Sequence, residues 1–145
     1  MDGIPKNTKP KLMEIQIIDI PKIHDIRGNL SVVEGDTIPF DIKRIYYLYD
    51  VPSGAERGGH AHMGQQAVLI ALSGSFDVVL KDGNAEKIVT LNRPYQGLLI
   101  PNGIWRELQN FSSGSVCLVI ASDKFDEEDY IREYNVFESF KRGTD

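Results

Sequence analysis

Cysteine, basic charge and long apolar runs are all scarce in this sequence. Its single cysteine, Cys117, excludes a disulfide within the chain. No apolar run approaches the ~18 residues that a membrane-spanning helix needs, and the polar N-terminus MDGIPKNTKP does not resemble a signal peptide. Lysine and arginine number 16 against 21 acidic residues, and the net charge of −5 argues against a nucleic-acid binder. We therefore expect a cytoplasmic protein with neither a membrane nor a nucleic-acid partner.

The rest of the composition is that of an ordinary globular protein. Hydrophobic residues make up 41% and charged residues 26% of the 145 positions, which is enough for one compact domain with a real core. We expect a single domain over 1–145, with 1–12 as a loose N-terminal segment. Cys117 lies inside the apolar run SVCLVIAS, which favours a buried core thiol over a reactive nucleophile.

Short β-type runs dominate the chain, and each is closed by turn residues. Between two of them, Asp82-Gly83 is a strong hairpin signal, because glycine readily takes a positive φ. Helical periodicity is confined to 126–141, where Tyr130, Tyr134 and Phe137 form a stripe that should dock on a sheet. This pattern predicts an all-β antiparallel sandwich or barrel with one C-terminal helix. The expected strands are 14–18, 29–34, 43–50, 67–72, 76–80, 87–91, 97–100, 105–109 and 115–121.

Two of the three histidines stand one residue apart in the stretch ERGGHAHMGQQAVLIALSGS. In an extended chain His60 and His62 share one face, and Ala61 turns to the other. Such a pair predicts a metal site, a proton-transfer site or a coincidence. The nearby Arg57 and the approach through Gly58-Gly59 favour a functional pair over a surface pair.

The spacing from this pair to the later P-x-G of IPNGIWRELQN resembles the outline of a cupin, a small jelly-roll barrel. Metal-binding cupins add a glutamate shortly after the second histidine and a third histidine shortly after this glycine. This chain has Gln66 and Arg106 at those positions, and an arginine cannot shed its proton to bind a cation. We therefore expect no metal, and Arg106 is a candidate partner for an anion or oxyanion.

Six segments carry a more specific resemblance: DIRGNLSVVE, IPFDIKRIYYLYD, RGGHAH, VLIALSGSFDVVLKDG, GLLIPNGIWREL and VIASDKFDEEDYIREYNVF. Together they span about 25–137 and are similar to the dTDP-4-keto-6-deoxy-glucose 3,4-ketoisomerases of nucleotide-sugar biosynthesis. The resemblance implies a cupin-type double-stranded β-helix closed by a C-terminal helix. It also implies an isomerase that acts on a dTDP-linked 4-keto-6-deoxy sugar, without a cofactor, as a homodimer that serves cell-surface polysaccharide synthesis.

The implied reaction moves a ketone from C-4 to C-3 of the sugar through an enediol. A neutral imidazole titrates near pH ~6.5 and can both accept and return a proton. His60 and His62 are therefore the expected base and shuttle, with His62 as the base because it lies deeper toward the following strand. Arg57, Arg106 and Tyr46 are the expected stabilisers of the enediolate oxygen.

The choice of Tyr46 follows from alternation in KRIYYLYD. Tyr46 shares a face with Arg44, whereas Ile45, Tyr47 and Tyr49 share the other face, which we interpret as core or subunit contact. Planar arginine side chains match the oxygens of a diphosphate. We expect four residues to bind the substrate: Arg27, Arg44, Gln66 and Arg106.

Several residues have a plainer interpretation. His24, alone in a polar loop, is expected to be solvated, and Trp105 to fill the core rather than stack on a sugar. Arg27 in DIRGN can equally serve only to pin a turn. The acidic run DEEDY is expected to begin the helix rather than to supply catalytic carboxylates.

Other functions stay open at this point. A C-3 or C-5 epimerase of nucleotide sugars usually pairs one histidine base with an aspartate and a tyrosine acid, and HAH is followed by no nearby aspartate, which favours the isomerase. A non-catalytic sugar-binding cupin is the third alternative. A metal-dependent oxygenase ranks last, because Gln66 and Arg106 replace the metal ligands.

Overall fold

The computed structural model of the chain describes residues 12–143. Within that range twelve strands, two 3-10 turns and one α-helix follow one another along the sequence. The strands are β1 Gln16–Asp19, β2 Lys22–Ile23, β3 Leu30–Ser31, β4 Arg44–Leu48, β5 Arg57–His62, β6 Ala67–Ser73, β7 Phe76–Lys81, β8 Glu86–Leu91, β9 Gln96–Ile100, β10 Trp105–Gln109, β11 Val116–Ala121 and β12 Tyr130–Ile131. The 3-10 turns are Leu12–Glu14 and Glu127–Asp129, and the helix α1 is Tyr134–Lys141.

Ten strands form two antiparallel sheets that pack face to face. The first sheet has the order β1-β9-β6-β11-β4 and the second the order β12-β5-β10-β7-β8, while β2 and β3 form a separate hairpin. Most neighbours in the sheets are distant in sequence, as in a jelly roll. The prediction of an all-β jelly roll closed by one C-terminal helix is confirmed.

The main core lies between the two sheets. Leu69 on β6 and Val119 on β11 share one buried cluster with Leu80 on β7 and Leu108 on β10. Every second residue of each strand points into this layer, as strand geometry requires. Cys117 belongs to the same cluster, and burial raises the pKa of its thiol to about 12, which confirms the predicted core thiol.

Strand β6 is buried on both of its faces over residues 67–71. Val68 and Ile70 point away from the main core and pack with Ile20 and Ile38, which come from the segment between β1 and β4. A strand covered on both sides has no solvent face to carry polar residues, which explains the unbroken apolar run AVLIA.

The C-terminal helix is shorter than predicted. The sequence pattern placed a helix over 126–141, but α1 begins only at Tyr134. Before it, Glu127–Asp129 form a 3-10 turn whose N-cap is the Asp126 side chain, and Tyr130 then extends to pair with β5. The available backbone partner in β5 therefore overrides the helical periodicity of this segment.

The aromatic stripe of α1 does dock on the second sheet. The Phe137 side chain is fully buried against Trp105, and the two ring centroids lie 5.7 Å apart. Trp105 is nearly fully buried, so its predicted role as a core filler is confirmed.

Two further predictions concern the N-terminal segment and membrane-spanning helices. The loose segment 1–12 lies outside the described residues except for its last residue, Leu12, which begins a 3-10 turn. Within residues 12–143, no helix combines the length and the apolar character needed to cross a membrane.

Candidate active site

Strand β5 carries one extra residue relative to its neighbour β10. Arg106 on β10 lies opposite His60, and Leu108, two residues on, lies opposite Arg57. An interval of three residues on β5 therefore pairs with an interval of two residues on β10. Gly58 accommodates the extra residue by adopting a φ of +86°. Residues three apart on a regular strand face opposite sides. Because of this bulge, Arg57 and His60 both reach the same pocket.

That pocket is a cavity of about 350 Å³ between the two sheets. Its volume is typical of a small-molecule site. Leu69, Leu108 and Val119 form an apolar floor that continues into the main core. The polar residues that line it are Tyr46, Arg57, His60, Arg106, Tyr130 and Arg132.

The two predicted histidines form a contacting pair. The Nε2 atoms of His60 and His62 lie 3.1 Å apart, and the two rings meet edge to face at 88°. His60 lines the pocket, whereas the His62 side chain is fully buried behind it. The predicted shared face is therefore present, but only His60 is placed to meet a ligand directly.

Asp129 is the residue of this site that the sequence did not reveal. Its Oδ2 atom lies 3.0 Å from Nδ1 of His62, and its carboxylate also accepts the backbone N–H groups of Gly64 and Gln65. The prediction that the acidic run around Asp129 begins the helix is wrong, because Glu127–Asp129 form a 3-10 turn. No aspartate follows HAH nearby in the sequence, but this turn brings Asp129 to β5 across 67 residues, and no local pattern signals that contact.

Tyr130 packs against both imidazoles from the neighbouring strand β12. Its ring centroid lies 5.0 Å from that of His60 and 4.3 Å from that of His62. The Tyr130 hydroxyl accepts a hydrogen bond from Arg44 at 3.3 Å, which leaves its own proton free to be donated. The Arg132 guanidinium lies 4.1 Å above the same ring and forms a bidentate ion pair with Glu127.

Arg106 is a buried cation next to these rings. Only 3% of Arg106 is exposed, and its Nε and one terminal nitrogen donate to the Ile104 carbonyl. Among the described residues, no carboxylate lies within ion-pair distance of it. Burial lowers the pKa of Arg106 to about 10, yet the group stays charged at neutral pH. A buried charge without a counterion is costly, so this position favours an anionic ligand.

Burial and positive charge keep both histidines neutral. Burial is the largest cause that lowers the pKa of His60 to about 2, followed by the charge of Arg106 and then by His62. The pKa of His62 is also lowered to about 2, by burial first and then by Arg106 and Arg44. Each imidazole therefore carries an available lone pair at neutral pH, which is the form that a base requires.

The alternation that selected Tyr46 is present in the structure. Tyr46 is mostly buried and lines the pocket, and burial raises the pKa of its hydroxyl. Ile45, Tyr47 and Tyr49 are each more than half exposed on the outer face. Arg44 lies behind Tyr46, where its guanidinium donates to Gln65 and Tyr130 rather than lining the pocket.

Besides Arg44, two further residues predicted to bind substrate, Gln66 and Arg27, do not line the pocket. The backbone N–H of Gln66 donates a hydrogen bond to the Ser122 hydroxyl. The buried neighbour Gln65 is the glutamine whose side chain contacts His62. A bend at Met63–Gly64 shifts the alternation by one residue and exchanges the two glutamines.

Arg27 does not reach the pocket of this chain. Its side chain is 87% exposed in the β2–β3 hairpin, and its Nε and a terminal nitrogen donate to the Asp25 carboxylate, each at 2.9 Å. This contact fits the alternative that Arg27 only stabilises a turn. His24, in the same hairpin, is exposed as predicted and contacts Asn29.

A metal site is a separate question, because the two histidines could in principle contribute to one. In the part of the chain that the structure describes, no group of three or more histidine, cysteine, aspartate or glutamate side chains is arranged to hold a metal ion. The donor set available beside Arg106 thus fits an anion better than a cation. That the protein needs no metal stays a prediction.

The chain is similar to a set of sugar isomerases. The family model FdtA, described as WxcM-like, C-terminal, matches residues 13–142. A TDP-4-oxo-6-deoxy-alpha-D-glucose-3,4-oxoisomerase from Aneurinibacillus thermoaerophilus is 44% identical over 129 residues, which cover 88% of this chain and 93% of that protein. The crystal structure of QdtA, a sugar 3,4-ketoisomerase from Thermoanaerobacterium thermosaccharolyticum in complex with TDP, is 42% identical with a TM-score of 0.89. That match covers 91% of this chain and 97% of QdtA.

Two further structures bear on the alternatives. A histidine-to-asparagine mutant of QdtA in complex with TDP-4-keto-6-deoxyglucose is 41% identical, has a TM-score of 0.89 and covers 92% of this chain and 97% of the mutant. ChmJ, a 3'-monoepimerase from Streptomyces bikiniensis, is only 15% identical, with a TM-score of 0.71 and coverage of 81% and 68%. The epimerase therefore shares the fold, whereas the isomerases share the fold and much of the sequence.

Proposed function

Because the chain belongs to the FdtA family, described as WxcM-like, C-terminal, we propose that it is a nucleotide-sugar 3,4-ketoisomerase in which His60 is the base. The isomerase activity is that of relatives that are 42–44% identical over about nine tenths of the chain. The substrate that fits is a TDP-linked 4-keto-6-deoxy sugar, since QdtA is known in complex with TDP and its mutant with TDP-4-keto-6-deoxyglucose. The observation that carries the assignment of the base is a neutral imidazole pair beside a buried, uncompensated arginine.

The reaction transfers hydrogen within one molecule. The base removes the proton from C-3, the C–H electron pair forms a C-3–C-4 double bond, and the C-4 carbonyl oxygen becomes an oxyanion. That oxygen gains a proton, the C-3 hydroxyl loses its proton, and a proton returns to carbon at C-4. The net change moves two hydrogens and no electrons leave the sugar, so the step needs no redox cofactor.

His60 replaces His62 as the proposed base. The sequence favours His62 as the base because it lies deeper toward the following strand, but His62 is fully buried and, unlike His60, does not line the pocket. A base must come within hydrogen-bond reach of the proton that it removes. His62 then serves as the second member of the pair, in contact with Nε2 of His60.

Arg106 and Tyr46 are the proposed stabilisers of the enediolate. Both line the pocket, and Arg106 brings a fixed positive charge into a region shielded from water. Preorganised charge of this kind is worth more in a dry site than in water and needs no reorganisation during the reaction. Tyr46 supplies a neutral hydroxyl donor, because burial raises its pKa.

Arg57 and Arg132 are the proposed partners of the diphosphate. Both line the pocket and both are exposed, which places them at its open side rather than beside the buried floor. An arginine can bind two phosphate oxygens at once. Arg27 is not part of this proposal, and Arg44 contributes by holding Tyr130 and Gln65.

We also propose that the enzyme is a cytoplasmic homodimer that makes a deoxysugar for a cell-surface polysaccharide. Ile45, Tyr47 and Tyr49 form an exposed apolar face on β4, an edge strand of the first sheet. Exposed apolar faces of this kind commonly mark contacts between subunits. Sedimentation at micromolar concentration that gives only a 16.3 kDa species would contradict the dimer.

The test of the function is direct turnover. Purified protein is incubated with TDP-4-keto-6-deoxyglucose, and the sugar carbons are followed by NMR. We expect the ketone signal to move from C-4 to C-3, and the His60→Asn variant to bind the nucleotide without this change. Inversion at C-3 or C-5 with the ketone retained at C-4 would indicate an epimerase. Binding without any turnover would indicate a sugar-binding module.

A further inference from the structure

The contacts of Asp129 determine where the proton of His62 lies. A carboxylate only accepts hydrogen bonds, so the Nδ1 atom of His62, 3.0 Å from Asp129 Oδ2, must carry a proton. A neutral imidazole has one N–H, and the pKa of His62 is lowered to about 2. Nε2 of His62 is therefore an unprotonated acceptor.

Gln65 supports the same tautomer independently. Its Oε1 atom accepts a hydrogen bond from Arg44 at 3.2 Å, which assigns the oxygen and the nitrogen of the amide. The amide nitrogen then lies 3.3 Å from Nε2 of His62 and donates to it. Two residues on different sides of the ring thus require Nε2 to accept.

Nε2 of His62 also lies close to the other imidazole. The Nε2 atoms of His60 and His62 are 3.1 Å apart, so a proton bound to Nε2 of His60 can pass to Nε2 of His62. A backbone hydrogen bond with Gly58 also engages the His60 ring.

We propose that Asp129 is a positioning residue that keeps the proton of His62 on Nδ1 and so leaves Nε2 of His62 as an acceptor beside Nε2 of His60, an inference that rests on the proposed ketoisomerase function. His60 takes the C-3 proton, and a proton passes from its Nε2 atom to Nε2 of His62. His62 is then a cation whose Nδ1–H faces the Asp129 carboxylate. The reverse transfers return a proton from His60 to C-4, so no proton is gained or lost.

The charge of Asp129 matters for the second of these states. Arg106 and Arg44 both oppose a positive charge on His62, and their fields act on a fully buried ring. Asp129 is the acidic side chain that contacts the ring, and 17% of its side chain is exposed. Without this carboxylate, no negative charge contacts His62 to stabilise the imidazolium that forms when it takes up the extra proton.

The variant Asp129→Asn separates this role from a purely structural one. We expect its single side-chain oxygen to keep the shorter backbone contact, with the Gly64 N–H now 2.7 Å from Oδ1, and to give up the Gln65 N–H, now 3.2 Å from Oδ2. Its NH₂ then faces the ring and donates to Nδ1 of His62. That contact moves the His62 proton to Nε2, and a wrong tautomer of this kind preserves geometry but removes most of the rate. Glu128→Gln is the matched control, because it removes an exposed neighbouring carboxylate.

The experiment measures ¹⁵N chemical shifts of the imidazoles in the ligand-free protein, together with kcat and KM. In the wild-type protein and in Glu128→Gln we expect His62 to carry its proton on Nδ1 and to have an unprotonated Nε2. In Asp129→Asn we expect His62 to become the Nε2–H tautomer, kcat to fall at least ~10²-fold, and KM to change little.

Three results would overturn the inference. The first is a wild-type protein in which His62 carries its proton on Nε2, a measurement that requires no variant and no substrate. The second is Asp129→Asn with normal kcat, and the third is lost kcat with an unchanged tautomer. A wild-type protein with the expected tautomers but no turnover of TDP-4-keto-6-deoxyglucose would instead refute the proposed function.

Discussion

Arg106 and His60 lie directly opposite each other in the antiparallel pair of β10 and β5. A fixed cation and the proposed base are thus cross-strand neighbours on a pocket wall. The cation lowers the pKa of the base, and it also attracts the anion that forms when the base acts. An enediolate that partly neutralises Arg106 raises the pKa of His60 at the moment when a proton has to be held.

The first prediction concerns the pH dependence of kcat/KM, which reports groups of the free enzyme. The pKa of His60 is lowered from 6.5 to about 2, so the base is already deprotonated in any near-neutral buffer. We expect no loss of kcat/KM from histidine protonation between about pH 8 and about pH 5. Initial rates across this range test it, and an inflection near the ordinary histidine pKa contradicts it.

The second prediction concerns the loss of Arg106. The variant Arg106→Met should lower kcat by ~10²- to 10³-fold, the scale on which one preorganised oxyanion partner acts. It should also let the pKa of His60 rise, because the positive charge that helps to lower it is removed, so residual activity should now fall at acid pH. Initial rates over a pH series measure both effects.

Arg106→Met should also stabilise the fold. A buried cation without a carboxylate partner is replaced by an apolar side chain of similar length, so the cost of keeping a charge out of water is removed and the free energy of unfolding should rise. Chemical denaturation at neutral pH measures the free energy of unfolding. A variant that is both inactive and less stable than the wild type would contradict the assignment of Arg106 to ligand binding rather than to folding.

The third prediction separates the two histidines. His60→Asn should abolish solvent deuterium exchange at C-3 and reduce turnover by at least ~10²-fold, because the base itself is lost. His62→Asn should keep measurable exchange, because His60 remains in the pocket. His24→Asn is the control, as that residue is exposed outside the pocket. Normal exchange in His60→Asn together with none in His62→Asn would restore His62 as the base.

The fourth prediction concerns acid stability. The pKa of His62 is about 2 in the folded chain against an ordinary value of 6.5, so between these values the unfolded chain binds a proton that the folded chain does not. The free energy of unfolding must therefore fall as the pH drops below about 6.5, by at most ~1.4 kcal/mol per pH unit for one such group. His62→Asn should show a shallower decline. Equal slopes for both proteins in denaturant titrations would show that His62 is not held neutral.

The fifth prediction is that chelation leaves the activity intact. The pocket presents Arg106 where a cupin metal ligand would be needed, so the proton transfers proposed here use only side chains. Turnover and metal content are measured before and after treatment with a chelator. Activity that disappears with the chelator and returns with a stoichiometric transition metal would refute the prediction.

Local periodicity predicted most of the fold. Alternation placed Tyr46 toward the pocket and Tyr47 outward, and the spacing of apolar runs gave nine strands whose counterparts the structure contains. These features depend on residues that are neighbours along one strand. Only the two histidines of β5 indicated an extended segment there, because its two glycines lower the β-strand propensity of the sequence RGGHAH.

The rest of the site depends on long-range pairing. Asp129 reaches His62 because β12 pairs with β5, and a two-residue strand leaves no periodic signal. The prediction of Gln66 instead of Gln65 fails for a different reason, because a bend at Met63–Gly64 interrupts the alternation of side chains along the strand. Neither the pairing of β12 with β5 nor this bend can be predicted from local periodicity in the sequence.

The position of β12 also has a consequence for what a cut in the chain would remove. Strands β4 to β11 carry His60, Arg106 and the apolar floor, whereas Asp129 and Tyr130 follow all of them in the sequence. The connection at 123–128 is exposed. Proteolysis there would separate the proposed base and the arginine from the carboxylate and the phenol that contact the two imidazoles.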